Sequence, residues 1–335
     1  MRGEDVKDCR ERKGASQAEF ATWLNERLGR RYDKQRVSRW EVGSERIPAS
    51  VMTLVAAELR VLTSTHGPAL TTVVAIQKGG CAKTISAVNI ATILARRGFR
   101  VLLVDVDPQA NATINLGIDP LAVEREKRSL AHVLKDEAAI GDVIVTIESS
   151  GLEVLPSSPS LSVTESEIAA DNTGPFDLRE RLVDLKRVYD HIVIDTPPNL
   201  GAMTLNGLAA ADSVLVPCQT EMLAIAGVGL LLTRIEKLKR RFHPNIKIAG
   251  ILPTLYNARL AQHQAGLEAI TEQYGTTHRI FPAVPWATTY GESVMAGRAA
   301  VETTNNLRGA EAYEKVVDLL VEERKRIVQG VSNAA

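Results

Sequence analysis

The sequence predicts an α/β protein, a parallel-sheet domain preceded by a small all-α domain. Short β-branched runs recur at Thr71–Ile76, Arg100–Val104, His191–Ile194, Ser213–Val216 and Ile246–Ile251, most of them separated by segments of helical composition. Strands alternating with helices argue for a parallel sheet covered on both faces. Up to about residue 60 no strand alternation occurs, and apolar residues sit at helical spacing: Phe20, Trp23, Leu24 and Leu28, then Val37 and Trp40. The polar stretch from Val61 to Pro68 breaks both patterns and reads as a linker, which divides the chain into residues 1–66 and 67–335.

The totals agree with this division. At 335 residues the chain has room for two domains, with 45% hydrophobic and 24% charged residues. Lys+Arg and Asp+Glu both stand at 40, so any nucleic-acid surface has to come from local clustering. Cys9, Cys81 and Cys218 are far apart and form no CxxC pair, which argues against disulfides and zinc and fits a reducing compartment. The first residues lack the apolar core of a signal peptide, and the longest apolar stretch, Met222–Leu232, is too short and Gly-rich to span a bilayer. The expectation is a soluble, cytoplasmic protein.

The first strand runs into Gln77-Lys78-Gly79-Gly80-Cys81-Ala82-Lys83-Thr84, and a helix is expected from about Ile85 to Arg97, ending at Gly98. Glycines let backbone N–H groups turn inward around phosphates, and the following helix N-terminus adds its partial positive charge. In such a phosphate loop Lys83 neutralises the β- and γ-phosphates and the Thr84 hydroxyl binds Mg²⁺. Two further strands end in acids, Asp105-Val106-Asp107 and Asp195. Carboxylates at the carboxyl ends of parallel strands sit where α/β sheets bind ligands, and a nucleotide with Mg²⁺ needs such groups for the metal and the attacking water. The plainer alternative is that each caps the helix after it.

Together these segments resemble the ParA/MinD group of deviant Walker-motif P-loop ATPases, over nearly all of residues 70–325. The resemblance rests on Lys78-Gly79-Gly80-x-x-Lys83-Thr84, the run Leu103 to Thr113, Leu155-Pro156-Ser157-Ser158, Ile194 to Gly201 and Ala210 to Pro217. It implies that Lys78 is the signature lysine that reaches a dimer partner's nucleotide, that Asp107 orients the hydrolytic water, and that Asp195 is the Walker B aspartate. Asp105 would stand behind them. It places ATP contacts at Lys78, Gly79, Gly80, Cys81, Ala82, Lys83, Thr84, Ile85 and Pro285, and Mg²⁺ contacts at Thr84, Asp195 and Asp107. Ala82 departs from the family's usual glycine. A methyl group there is acceptable at helical φ/ψ and costs more at positive φ.

The C-terminal segment Ala312–Arg326 has the apolar spacing of a helix docked on its domain, with acids on its polar face, unlike a membrane-inserting basic helix. Cys81 and Cys218 read as small apolar fillers rather than cluster ligands. Arg259 resembles a family arginine on a non-specific DNA surface, whereas the second such arginine would fall near Thr289 and is missing. The run Lys237, Lys239, Arg240 and Arg241 either extends that surface or is a solvated helix end.

In the first domain Ser16 to Glu19 has capping-box spacing. With Lys34-Gln35-Arg36-Val37-Ser38-Arg39-Trp40-Glu41-x-Gly43 it resembles the Cro/repressor helix-turn-helix family, with a long turn from Asn25 to Tyr32. Arg27, Arg30, Arg31, Lys34, Arg36 and Arg39 crowd this region, a composition that supplies phosphate affinity. Lys34, Gln35 and Ser38 are candidates for base edges and Gln17 and Arg39 for phosphates, with Trp40, Phe20 and Ala21 in the core. A helical dimerisation module without DNA contact is the alternative.

The resemblance implies a DNA partition ATPase with weak, partner-stimulated hydrolysis. It would form a homodimer on ATP, coat nucleoid DNA, answer to a ParB-like adaptor and repress its own operon through the first domain. Rival readings are a nucleotide-switched transcription regulator and an ATPase that positions a protein cargo.

Overall fold

The computed structural model describes residues 3–48, 50–52, 54–55, 58–59, 67–170, 176–304 and 306–332. Helices α1 (Gly3–Arg12), α2 (Gln17–Leu28) and α3 (Lys34–Glu41) open the chain. The capping box forms as the spacing predicts. Glu19 N–H donates to Ser16 Oγ and Ser16 N–H donates to the Glu19 carboxylate at 2.7 Å. Gly29, left-handed at φ 61°, ends α2, and Asp33 caps α3 by accepting from Arg36 N–H at 2.8 Å. The turn therefore runs from Gly29 to Asp33, and Asn25 belongs to the helix rather than the turn. Its amide brackets the turn instead, accepting from Tyr32 N–H at 2.6 Å and donating to Tyr32 O at 2.8 Å. Phe20, Ala21, Leu24, Val37 and Trp40 share one small core with Val51, Val55 and Leu59. Of the predicted linker, Val61 to Pro68, residues 61–66 lie outside the described residues.

The second part is a seven-stranded sheet in the order β3-β4-β2-β5-β1-β6-β7. The strands are β1 (Leu70–Val74), β2 (Val101–Asp105), β3 (Val145–Ile147), β4 (Leu152–Leu155), β5 (His191–Asp195), β6 (Ser213–Gln219) and β7 (Lys247–Thr254). Every pairing is parallel except β3 with β4. The antiparallel edge and β4 itself were not anticipated, and β7 runs three residues further than Ile251. Gly250 marks a register break in β7 (φ 153°), where a Cβ would lie 2.7 Å from Arg279 O.

Alternation sends strand residues to two apolar layers, as a sheet buried on both faces requires. Leu70, Val74, Val101, Leu103 and Val193 pack with α4 (Lys83–Arg96) and the C-terminal helix. Val73, Leu102, Val104, Ile192 and Val216 pack with α6 (Ala202–Ala210), α7 (Met222–Arg241) and α8 (Ala261–Tyr274). A short α5 (Asn111–Asn115) follows β2. The last helix, α9 (Ala310–Ser332), docks through Ala312, Tyr313, Val316, Val317 and Leu320, the face its spacing predicts. Among the described residues no helix is long and apolar enough to cross a membrane. All three cysteines are buried and free.

Candidate nucleotide site

The loop after β1 lies at the carboxyl end of the sheet, and its first task is to turn the chain into α4. Gly80 takes φ 70°, a conformation open to glycine without cost. Ala82 takes φ 56° and ψ 31° at the N-cap of α4 and makes no side-chain cap. The positive-φ alternative is thus the one realised, and a methyl-bearing residue there costs about 1–2 kcal/mol. The loop carbonyls are tied outward. Lys83 Nζ donates to Lys78 O at 2.7 Å, Gln219 Nε2 to Gly80 O at 3.1 Å and Thr254 Oγ1 to Cys81 O at 3.1 Å. The backbone N–H groups of Gly79 through Thr84 find no acceptor among the described residues. A ring of donors at a helix N-terminus, with a buried lysine among them, is an anion site.

Three acids close the site from the neighbouring strand ends. Asp105 is buried and accepts from Thr113 Oγ1 at 2.7 Å, Thr113 N–H at 2.9 Å and Asp107 N–H at 3.1 Å. Burial outweighs these bonds and pushes its carboxyl up to about 6. Asp107 accepts from Gln109 N–H at 2.9 Å and Asn111 Nδ2 at 3.3 Å. The capping alternative is therefore correct in part, since both acids anchor the chain after β2. Asp195 differs. It is fully buried, and neither carboxylate oxygen has a hydrogen-bond donor among the described residues. Burial, then the charges of Asp105 and Asp107, raise its carboxyl well above the usual range, against the pull of the Thr84 hydroxyl and Lys83. Lys83 is lowered by its own burial, with Asp195 opposing.

Lys78 is held within its own chain, its Nζ 2.9 Å from Glu221 Oε2 just before α7. Ile85 packs its side chain into the core. Pro285 stands beside the end of β7, bridged to Tyr256, two residues after the Thr254 whose hydroxyl donates to Cys81 O. Sequence reasoning missed Gln219, Thr254 and Glu221, all at strand ends flanking the loop. It also missed the relay in which Ser157 N–H donates to Thr113 Oγ1 (2.9 Å) and Ser157 Oγ to Asp107 O (2.7 Å). Position after a strand was the available signal for the first three, while Ser157 stood in the Leu155–Ser158 motif without an assigned role.

A family model described as an AAA domain matches residues 70–248. The sporulation initiation inhibitor protein Soj of Bacillus subtilis is 35% identical over 239 residues, covering 71% of this chain and 92% of that protein. The chromosome-partitioning ATPase Soj of Thermus thermophilus is 36% identical over 243 residues, covering 72% and 91%.

The chain belongs to the ParA-type family of P-loop ATPases.

A cobyrinic acid a,c-diamide synthase of Mycobacterium smegmatis, solved with ADP and magnesium, is 33% identical over 77% of this chain and 96% of its own, at TM-score 0.65. A Cyanothece McdA–ATP complex, 24% identical at TM-score 0.69, shares the fold. Nucleotide and magnesium are thus ligands of solved family members, and the residues here suit both. The N–H ring and Lys83 match phosphate, and Asp195 has unclaimed oxygens. Among the described residues no three His, Cys, Asp or Glu side chains converge on a metal, so a divalent ion here would draw further oxygens from a phosphate or water.

Outside the ATPase fold, Lys34 and Gln35 are exposed on the first turn of α3, with Ser38 half-buried one turn on. Arg39 is paired with Glu45 at 2.8 Å, and Gln17 Nε2 donates to Glu41 at 2.8 Å. Glu41 also holds Arg10 at 2.6 Å, which binds α1, α2 and α3 together. Arg259 is exposed after the carboxyl end of β7. The run Lys237–Arg241 does not extend its surface. Helix α7 returns antiparallel to the strands over 20 residues, which puts that run about 30 Å away at the amino ends.

Proposed function

We propose that the chain is an ATP-dependent DNA partition ATPase of the cytoplasm and nucleoid, dimerising on ATP and carrying a helix-turn-helix domain at its N-terminus. The observation that carries the nucleotide chemistry is the pairing of the donor ring of Gly79–Thr84 with an orphaned, buried Asp195. Magnesium, when bound, neutralises phosphate charge, with Thr84 and Asp195 as its protein contacts and Asp107 nearby. Lys83 leaves the Lys78 carbonyl for the phosphates, which compensates its burial. Asp107, anchored from Gln109 and through Ser157, holds the attacking water. Lys78 exchanges Glu221 for the nucleotide of a partner protomer, so that nucleotide state controls association. Partner stimulation by a ParB-like adaptor and DNA contact through Arg259 complete the reading.

Light scattering with ATP and Mg²⁺ tests it. Lys78→Ala should abolish the nucleotide-driven dimer, and Asp107→Ala should trap it with turnover lost. A Lys78→Ala protein that dimerises and hydrolyses normally overturns the cross-subunit role.

The exposed Lys34 and Gln35 on a capped α3 favour a regulatory activity beside partition, with Ser38 at the same surface and Gln17 and Arg39 on phosphates. Footprinting on the protein's own upstream region checks this, and protection without a preferred site removes it.

A further inference from the structure

The phosphate loop occupies the carboxyl end of the sheet, and the opposite end carries a separate concentration of charge. Three elements deliver it. Helix α7 ends in Lys237, Arg240 and Arg241, β7 begins at Lys247, and Arg279 lies beside β7, its carbonyl accepting from Ile251 N–H at 2.8 Å. The end of α9 comes to the same edge, because Arg324 reaches Asp190 (2.7 Å) ahead of β5 and Glu323 accepts from Ser213 Oγ (3.2 Å) at the start of β6. Arg326 follows there. Lys247, Arg326 and Arg279 all act on the Glu323 carboxyl, which places the three around one point.

The acids of this edge do not cancel the charge. Glu236 is taken by Lys239 (3.7 Å), Glu322 by Arg326 (3.5 Å), and Glu323 is turned inward on Ser213. Lys237, Arg240, Arg241, Lys247 and Arg279 are exposed and make no ion pair with any described residue. A chain with formal net charge +0 thus carries an excess of unpaired basic side chains at this edge. Such a surface recruits polyanions.

We propose that this amino-end edge is a docking surface for the phosphate backbone of duplex DNA, working without nucleotide. Charge complementarity names a polyanion, and the entry point of the chain selects DNA among polyanions. Ala69 N–H donates to Lys186 O and β1 starts at Leu70, so the chain enters the sheet at this edge, and the choice of DNA rests on the reading proposed above of the first domain, with its exposed Lys34, Arg30 and Arg31, as DNA-binding. A duplex held by that domain is kept at high effective concentration beside the edge. The α7 part of the surface, Lys237 to Arg241, lies about 20–30 Å along the helix from the Glu221 that pairs with Lys78. It is distinct from the ATP-gated contact through Arg259, and either can fail alone.

The test uses the full chain and a labelled duplex of arbitrary sequence, titrated by anisotropy over a salt series with and without ATP and Mg²⁺. The variant combines Lys237→Ala, Arg240→Ala, Arg241→Ala and Lys247→Ala, all on exposed side chains. Its log–log salt slope should fall by about 3–4 and its affinity at low salt at least about ten-fold, equally in both nucleotide conditions, with ATP turnover unchanged. Single variants should each lower the slope by about 1. An unchanged slope, or a loss confined to the ATP condition, overturns the proposal. A parallel titration uses a labelled polyglutamate peptide. If the variant loses the peptide and keeps DNA, the occupant is an acidic protein segment and the proposal is wrong.

Discussion

Ala82→Gly should stabilise the nucleotide-free protein, because Ala82 holds a left-handed conformation at the N-cap of α4, a position that favours glycine over alanine. Ala82 sits at φ 56° and ψ 31°, where its Cβ crowds the backbone at a cost of about 1–2 kcal/mol. Glycine removes that cost but returns about 0.4–1 kcal/mol through the greater freedom of the unfolded chain. No side-chain hydrogen bond is lost, because Ala82 makes no cap. The net gain is about 1 kcal/mol. Urea unfolding followed by circular dichroism measures it as a higher midpoint at constant slope. Ala110→Gly is an internal control, since Ala110 has φ 54° and ψ 36° at the N-cap of α5 beside Asp107. Both variants should move together by similar amounts. If Ala110→Gly stabilises and Ala82→Gly destabilises, the left-handed form of the phosphate loop is wrong, and so is the strain assigned to it.

Other expectations follow from single side chains. His191 is buried with neither ring nitrogen bonded, and burial, with the Arg324 charge adding, lowers it to about 3. Its contribution is intact above pH 6.5 and is lost as pH falls from there towards 3. At pH 5 the loss is about 2 kcal/mol, and His191→Phe should remove that part of the difference between unfolding at pH 7.5 and pH 5. Arg10→Met severs the Glu41 contact at 2.6 Å and should cost the first domain about 1.5–3 kcal/mol. Trp23 and Trp40 fluorescence should then report early melting, while nucleotide binding persists. Asp195→Asn should raise the melting temperature without nucleotide and abolish the further rise that ATP with Mg²⁺ gives the parent. The sign follows from its raised carboxyl, whose ionised form is increasingly costly to the fold as pH climbs above 3.8.

The strands that run through both apolar layers were legible because β-branched runs between helical segments have no other reading. Strand β4 was not, since four residues of Leu-Glu-Val-Leu fit a helix turn as well. Its partner β3 is half-exposed and only three residues long, Val-Thr-Ile, too short for its alternation to stand out as a strand. The loop residues were legible by type and order, but their conformations were not. Whether Ala82 is helical or left-handed depends on where the flanking strands force the chain to turn. The long-range ties failed for the same reason. Nothing in the sequence links Glu221 to Lys78 or Ser157 to Thr113, because each pair meets only after the sheet has set its strand order. At Lys237–Arg241 charge alone left two readings open, and only the antiparallel return of α7 separates the run from Arg259.

Strand β5 carries the sharpest separation of structural from functional charge, since a buried aspartate stands at each of its ends. Asp190 accepts from Arg324 Nη2 and from Arg100 N–H, each at 2.7 Å, so its charge is answered within the fold. Asp195, five residues on, is equally buried, and there burial outweighs the pull of the Thr84 hydroxyl and Lys83. The same chemical change should therefore have opposite signs at the two positions. Asp190→Asn deprives the buried Arg324 of its counter-charge and should cost about 3 kcal/mol or more. Asp195→Asn removes a charge whose burial outweighs the partial answer from Lys83, and should stabilise the protein in the absence of ligand. If both variants destabilise alike, Asp195 is a structural acid, and the argument that its buried lone pairs await a cation falls with it. If the signs differ, the cost of holding Asp195 ionised is met only when the site is filled, which makes nucleotide and metal part of the stability of the carboxyl end of the sheet.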